Sequence, residues 1–90
     1  MVKSVVKVVN PTGLHARPAS QFVNAAGKFK SDLKIGRTAD DVRLNAKSII
    51  GVLSLALCQG EEIEISAEGE DEQEAVDKLS EMVRSGFGEV

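Results

Sequence analysis

Apolar and polar residues trade places every second position along residues 2–9. Val2, Ser4, Val6 and Val8 fall on one side, and Lys3, Val5, Lys7 and Val9 on the other. That period predicts a first strand, and Asn10-Pro11-Thr12-Gly13 after it is a tight-turn composition. From Ala16 to Ala26 the period lengthens to that of a helix, with Ala19, Phe22, Val23 and Ala26 on one face and Gly27 as the stop. Two short strands are expected next. Leu33 and Ile35 share a face of one, Val42 and Leu44 share a face of the other, and the polar run Gly36 to Asp41 between them makes the hairpin turn. Ser48 is a capping residue type, and Ile49, Ile50, Val52 and Leu53 behind it predict a short helix with more apolar surface than one face needs. At least one of Ile49, Ile50 and Leu53 is expected in the core. Residues 61–68 form the clearest strand: Ile63, Ile65 and Ala67 alternate with Glu62, Glu64, Ser66 and Glu68. One side of it packs and the other is wet. Asp71 and Glu74 then make a capping pattern, and Ala75, Val76, Leu79, Met82 and Val83 form the stripe of a last helix ending near Ser85-Gly86.

The order βαββαβα, with single apolar stripes on its helices, predicts an α+β fold of two layers. Three helices stack on one face of a four-stranded, mainly antiparallel sheet. A ferredoxin-like arrangement would satisfy the same pattern. Ninety residues suit one domain spanning 1–90, and a core with three Phe and no Trp or Tyr must be aliphatic. The net charge of −3 argues against general nucleic-acid binding, and so do Glu62, Glu64 and Glu68 on the clearest strand, where an RNA-reading sheet needs basic and aromatic residues. No charged-then-apolar leader and no run long enough to cross a bilayer is visible, so a cytoplasmic protein without membrane insertion is expected. Cys58, the only cysteine, cannot form an internal disulfide, and its apolar run (Val52 to Cys58) suggests a small buried hydrophobe. A single histidine without paired carboxylates or further cysteines makes a poor metal site, so none is expected.

That histidine lies in Gly13-Leu14-His15-Ala16-Arg17-Pro18-Ala19. Pro18 suits the first turn of a helix, which puts His15 at or just before a helix N-terminus. Free backbone N–H groups and the positive dipole end favour an anion there. Neutral imidazole is a nucleophile, and a negative group placed on it would meet the amides of Ala16 and Arg17 together with the Arg17 guanidinium. This is the chemistry of a histidine that carries phosphate.

The heptapeptide resembles the active-site signature of HPr, the histidine-containing phosphocarrier family of the bacterial sugar phosphotransferase system. Lys47-Ser48-Ile49-Ile50-Gly51-Val52-Leu53-Ser54-Leu55 resembles the regulatory serine segment of the same family. The resemblance covers essentially the whole chain and implies an open-faced β-sandwich. It implies that His15 takes phosphate on Nδ1 from enzyme I, itself charged by phosphoenolpyruvate, and passes it to the IIA domains of sugar permeases. Such a protein is a stoichiometric intermediate rather than an enzyme, works without a cofactor, and is expected to be a monomer. Arg17 and the Ala16 and Arg17 amides would stabilise the phosphate. Ser48 would be a regulatory phosphorylation site for HPr kinase/phosphorylase, with a catabolite-control repressor as the further partner. Ser20, Lys47, Ile49, Ile50 and Leu53 are the candidates for partner docking. The chain departs from the family pattern at Ala56, where glycine is common, at Ile50 and Leu53, where methionine or phenylalanine is common, and in a hairpin around Arg37-Thr38-Ala39 about two residues longer than usual. A regulatory relative lacking the histidine does not fit, because His15 is present. A nitrogen-branch relative fits poorly at the serine segment.

Overall fold

The strand with the plainest alternation in the chain, β4 (Glu62–Glu68), lies inside the sheet and is paired on both sides. The computed structural model describes residues 1–89. Around β4 stand β1 (Val2–Lys7), β2 (Asp32–Arg37) and the two-residue β3 (Leu44–Asn45), in the order β1-β4-β2-β3. Every pairing is antiparallel, with Val6 opposite Ile63, Ile35 opposite Ile65 and Ile35 opposite Leu44. Helices α1 (Ala16–Ala26), α2 (Ile49–Ser54) and α3 (Glu72–Arg84) cover one face. The element order is the expected one, and the sheet order is that of an open-faced sandwich.

Alternation decides which side is covered. Val6, Ile63, Ile65, Ala67, Leu33 and Ile35 point into a core completed by Phe22 of α1, Val52 of α2 and Val76, Leu79 and Val83 of α3. Lys3, Lys7, Glu62, Glu68, Asp32 and Lys34 are exposed on the other face. Phe22 is the one fully buried aromatic side chain among the described residues.

Several local expectations are corrected by tertiary contacts. β1 stops at Lys7, and Val8 instead exchanges hydrogen bonds with the β4 approach: its N–H donates to the Glu61 carbonyl at 2.9 Å and its carbonyl accepts from Gly60 at 2.7 Å. β2 runs on through Gly36 and Arg37, which therefore do not belong to the turn. A Cβ on Gly36 would sit 2.0 Å from the Val42 carbonyl oxygen, so the returning chain crosses directly over this glycine. Val42 is 49% exposed and shares no buried face with Leu44. The reason lies in Arg43, whose Nη1 donates to the carbonyls of Arg37, Asp40 and Val42 while its Nε reaches Glu64, tying the hairpin together from outside the core. Gly27 does end α1, but in the right-handed region (φ −64°) rather than a left-handed one.

Asp71 precedes α3 without capping it. Its carboxylate is taken by the chain after α1, accepting from the Lys30 and Ser31 N–H groups at 2.9 and 3.0 Å and from the Ser31 hydroxyl at 2.5 Å. These bonds, the Ser31 hydroxyl foremost, lower its pKa from 3.8 to about 2. The folded value lies below the unfolded one, so this contribution is complete above about pH 4 and is lost as pH falls toward 2. Asp71→Asn is expected to lower the melting temperature at neutral pH and to flatten its decline between about pH 4 and 2. Thermal melts followed by circular dichroism across that range check it; parallel acid declines would show that Asp71 carries none of the effect.

Candidate functional site

Residues 8–14 reach the helix side of the molecule as a loop pinned at both ends. Leu14 is fully buried and its N–H donates to the Leu57 carbonyl at 2.9 Å. Gly13 has φ +73°, and a Cβ there would come 2.5 Å from the Leu57 carbonyl oxygen and 3.0 Å from the Cys58 Cα. Both conformation and space require glycine at this position. The buried Asn10 closes the turn, its Nδ2 donating to the Gly13 carbonyl at 2.9 Å.

His15 follows as the N-cap residue of α1, extended (φ −127°, ψ 163°) and half-buried, with no side-chain capping bond. Its ring leaves the first-turn amides of α1 uncapped, and an incoming anion can take them. Ala16 is left-handed (φ +50°), a conformation that costs an alanine about 1–2 kcal/mol. Strain of this kind persists where the surroundings over-determine it, here the buried Leu14 before it and the buried Pro18 and Ala19 after it. Arg17 and Ser20 are both exposed. Pro18 falls in the first helical turn, where its missing N–H leaves no helical bond unmade.

α2 packs against α1 and presents apolar residues to solvent. Ile49, Ile50 and Leu53 are 39%, 78% and 40% exposed, so none of them is core, contrary to expectation. With six residues, α2 makes fewer than two turns, and Val52 alone is its fully buried contribution. Ser48 caps it as expected, its Oγ accepting from Gly51 N–H at 3.1 Å. Lys47 is partly used elsewhere, its Nζ donating to the Phe29 carbonyl at 2.8 Å. Cys58 corrects the sequence reading, because it is exposed. Ala56 turns left-handed (φ +50°) after α2, which sends Leu57 inward and Cys58 outward. Among the described residues no cluster of three or more His, Cys, Asp or Glu could hold a metal ion, and no helix is long and apolar enough to cross a membrane.

A family model described as the PTS HPr component phosphorylation site matches residues 2–85. The chain belongs to the HPr family. It is 48% identical over 84 residues to the HPr-like protein Crh of Bacillus subtilis, covering 93% of this chain and 96% of that one. It is 39% identical over 89 residues to the phosphocarrier protein HPr of Neisseria meningitidis serogroup A, covering 99% and 98%. The crystal structure of HPr-C-His from Thermoanaerobacter tengcongensis superposes with a TM-score of 0.95 at 44% identity, covering 100% of this chain and 99% of that one. HPr proteins are the phosphocarriers of the phosphotransferase system, and the open-faced sandwich described above is theirs.

Around the HPr signature lie residues that sequence reasoning passed over. Glu89 folds back onto the loop, accepting from Asn10 Nδ2 at 3.1 Å and from Thr12 N–H at 3.3 Å. The Asn10 amide foremost, with Thr12 and the Arg17 charge adding, holds its carboxyl below the usual range. Asn10 itself was legible as a turn residue. Nothing in the sequence signals a contact spanning 79 positions.

Proposed function

We propose that this chain is a phosphoryl carrier in which His15 accepts phosphate from the phosphohistidine of enzyme I and hands it to IIA domains of sugar permeases. The observation that carries the reading is His15 itself: it is the only histidine, partly open to solvent, and stands at the start of α1 with its ring free of any capping bond. A ring nitrogen with a free lone pair attacks phosphorus, the donor's P–N bond breaks as the new one forms, and the bond's electron pair returns to the donor ring. Nδ1 is the attacking atom in this reading. The transferred group then meets the amides of Ala16 and Arg17 and the charge of the exposed Arg17 side chain.

An anion at such a terminus gains about 0.3–1 kcal/mol, and up to about 2 when partly buried. That is enough to hold a phosphohistidine and too little to trap it. The chain acts stoichiometrically, as a cytoplasmic monomer without cofactor, and is not an enzyme. Ser20, Lys47, Ile49, Ile50 and Leu53 form the docking side, with the three apolar residues of α2 supplying the area that a partner covers. Incubation with phosphoenolpyruvate and enzyme I, followed by mapping of the modified residue, tests the reading. Acid-labile phosphate on His15 is the expected result, and phosphate elsewhere or none overturns it.

Ser48 supports a second, compatible role. A phosphate on its Oγ would sit at the α2 start beside the exposed patch, adding charge where a partner docks while disturbing the fold little. HPr kinase/phosphorylase is the modifying enzyme in this reading, and a catabolite-control repressor the partner gained. The similarity to Crh favours it. Ser48→Asp is expected to slow phosphoryl acceptance at His15 about tenfold, the factor that about 1.4 kcal/mol of repulsion at an interface corresponds to. Initial rates with enzyme I measure this, and an unchanged rate removes the charge mechanism.

A further inference from the structure

A charged pair fastens the Ala56–Glu61 turn to the end of β2. Arg37 Nε and Nη2 donate to Glu61 Oε1 and Oε2 at 2.5 and 3.1 Å, and Nη2 also donates to the Ala56 carbonyl at 3.0 Å. Glu61 Oε2 accepts in addition from the Cys58 N–H at 2.6 Å. One guanidinium and one carboxylate thus bind the turn at three of its residues: Ala56, left-handed at φ +50°, then Cys58, then Glu61. The Arg37 fork and the Cys58 N–H keep the Glu61 carboxyl below the usual range, so the pair is fully charged at neutral pH.

The same turn is the platform under the histidine loop. Its Leu57 carbonyl accepts from Leu14, its Gly60 N–H and Glu61 carbonyl hold Val8, and the Gln59 side-chain amide donates to the Val9 carbonyl at 3.0 Å. The Leu57 carbonyl and Cys58 Cα also form the wall against which Gly13 lies. Between the charged pair and His15 there are therefore only two links, the turn and the buried Leu14.

We propose that Arg37 and Glu61 are positioning residues for phosphoryl transfer: the pair fixes the Ala56–Glu61 turn, and the turn's Leu57 carbonyl fixes where His15 stands. This rests on His15 being the phosphoryl acceptor. Neither side chain needs to touch the phosphate. A nucleophile held in the reactive geometry reacts faster than one that samples several, so the pair acts on the rate of transfer rather than on partner affinity. Arg37 is delivered by the end of β2, where Arg43 ties the hairpin by donating to the Arg37 and Val42 carbonyls, which gives this part of the chain a role at the site it does not itself form.

The test compares Arg37→Ala, Glu61→Ala, the double variant and the conservative Arg37→Lys, each first shown to be folded by its amide spectrum. Two readouts are needed: hydrogen exchange of the Leu14 amide under native conditions, and kcat and KM of the chain as phosphoryl acceptor from enzyme I. Each alanine variant is expected to speed Leu14 exchange and to lower kcat about three- to tenfold with KM unchanged. The double variant should lose no more than the larger single loss, because the two side chains act as one unit. Arg37→Lys, which keeps the charge but not the fork, should fall between. A pair that is merely structural would lower the melting temperature and leave both readouts of the folded protein unmoved. Unchanged Leu14 exchange, unchanged kcat, a loss in KM alone, or additive losses in the double variant each overturn the proposal. If the unmodified chain accepts no phosphate at all, the carrier reading fails instead, and Leu14 exchange still reports whether the pair holds the loop.

Discussion

His15→Ala is expected to take up no acid-labile phosphate when incubated with phosphoenolpyruvate and enzyme I, while keeping its amide spectrum and melting temperature. The loss is complete because the chain has no second histidine to substitute for the first. The fold survives because the imidazole is half-buried and does not cap α1, so removing it breaks no capping bond. Its stability effect should stay within about 0.5 kcal/mol, as for a surface substitution away from caps and core. Arg17 remains in the variant, and its charge without the nucleophile accepts nothing. The measurement is phosphate incorporation alongside thermal denaturation. Acid-labile phosphate on the variant would refute the assignment of the site, and a large fall in melting temperature would show that the ring has a structural duty the geometry does not reveal.

Phe22→Ala should cost about 3–5 kcal/mol of stability. Phe22 is the largest of the fully buried side chains, and it joins α1 to a core that is otherwise aliphatic. A domain of this size loses about 4–8 °C per kcal/mol, so the melting temperature should fall by about 12–40 °C. Ile50→Ala makes the opposite case. Ile50 is 78% exposed, so its truncation should change stability by less than about 0.5 kcal/mol while weakening acceptance from enzyme I through the docking side. The two hydrophobic truncations are thus expected to separate folding from recognition. Denaturant titrations with acceptance kinetics on both variants check this; a destabilised Ile50→Ala or a stable Phe22→Ala would reverse the roles assigned to α2 and α1.

How much of this was legible varies from element to element. β4 was readable at every position but one because alternation is a local property of the backbone; the exception is Ser66, expected on the wet face and buried where it stands between Lys3 and Lys34 of the neighbouring strands. α1 and its stop were readable for the same kind of reason, and so was Ser48, whose Oγ reaches a backbone N–H only three residues on. The hairpin was not. Whether Gly36 ends a strand or continues it depends on Val42 passing over it, and Val42 is exposed because Arg43 bonds across the turn. Asp71 looked like a helix cap and serves Ser31 instead, because a partner 40 positions away competes for the same oxygen. Cys58 looked buried by its neighbours, and a single left-handed residue, Ala56, turned it out.

The sequence by itself determined the order of the elements, the aliphatic core and the place of His15 at a helix start, since each follows from periods and capping chemistry within a few residues. Only the packed fold settles that Ile49, Ile50 and Leu53 stay outside while Val52 of the same helix is buried, that Glu89 closes over the Asn10 turn, and that Arg37 and Glu61 fasten the turn against which the histidine loop lies. Those contacts join residues far apart along the chain. Their formation depends on how strands and helices pack, which no local pattern of residues encodes.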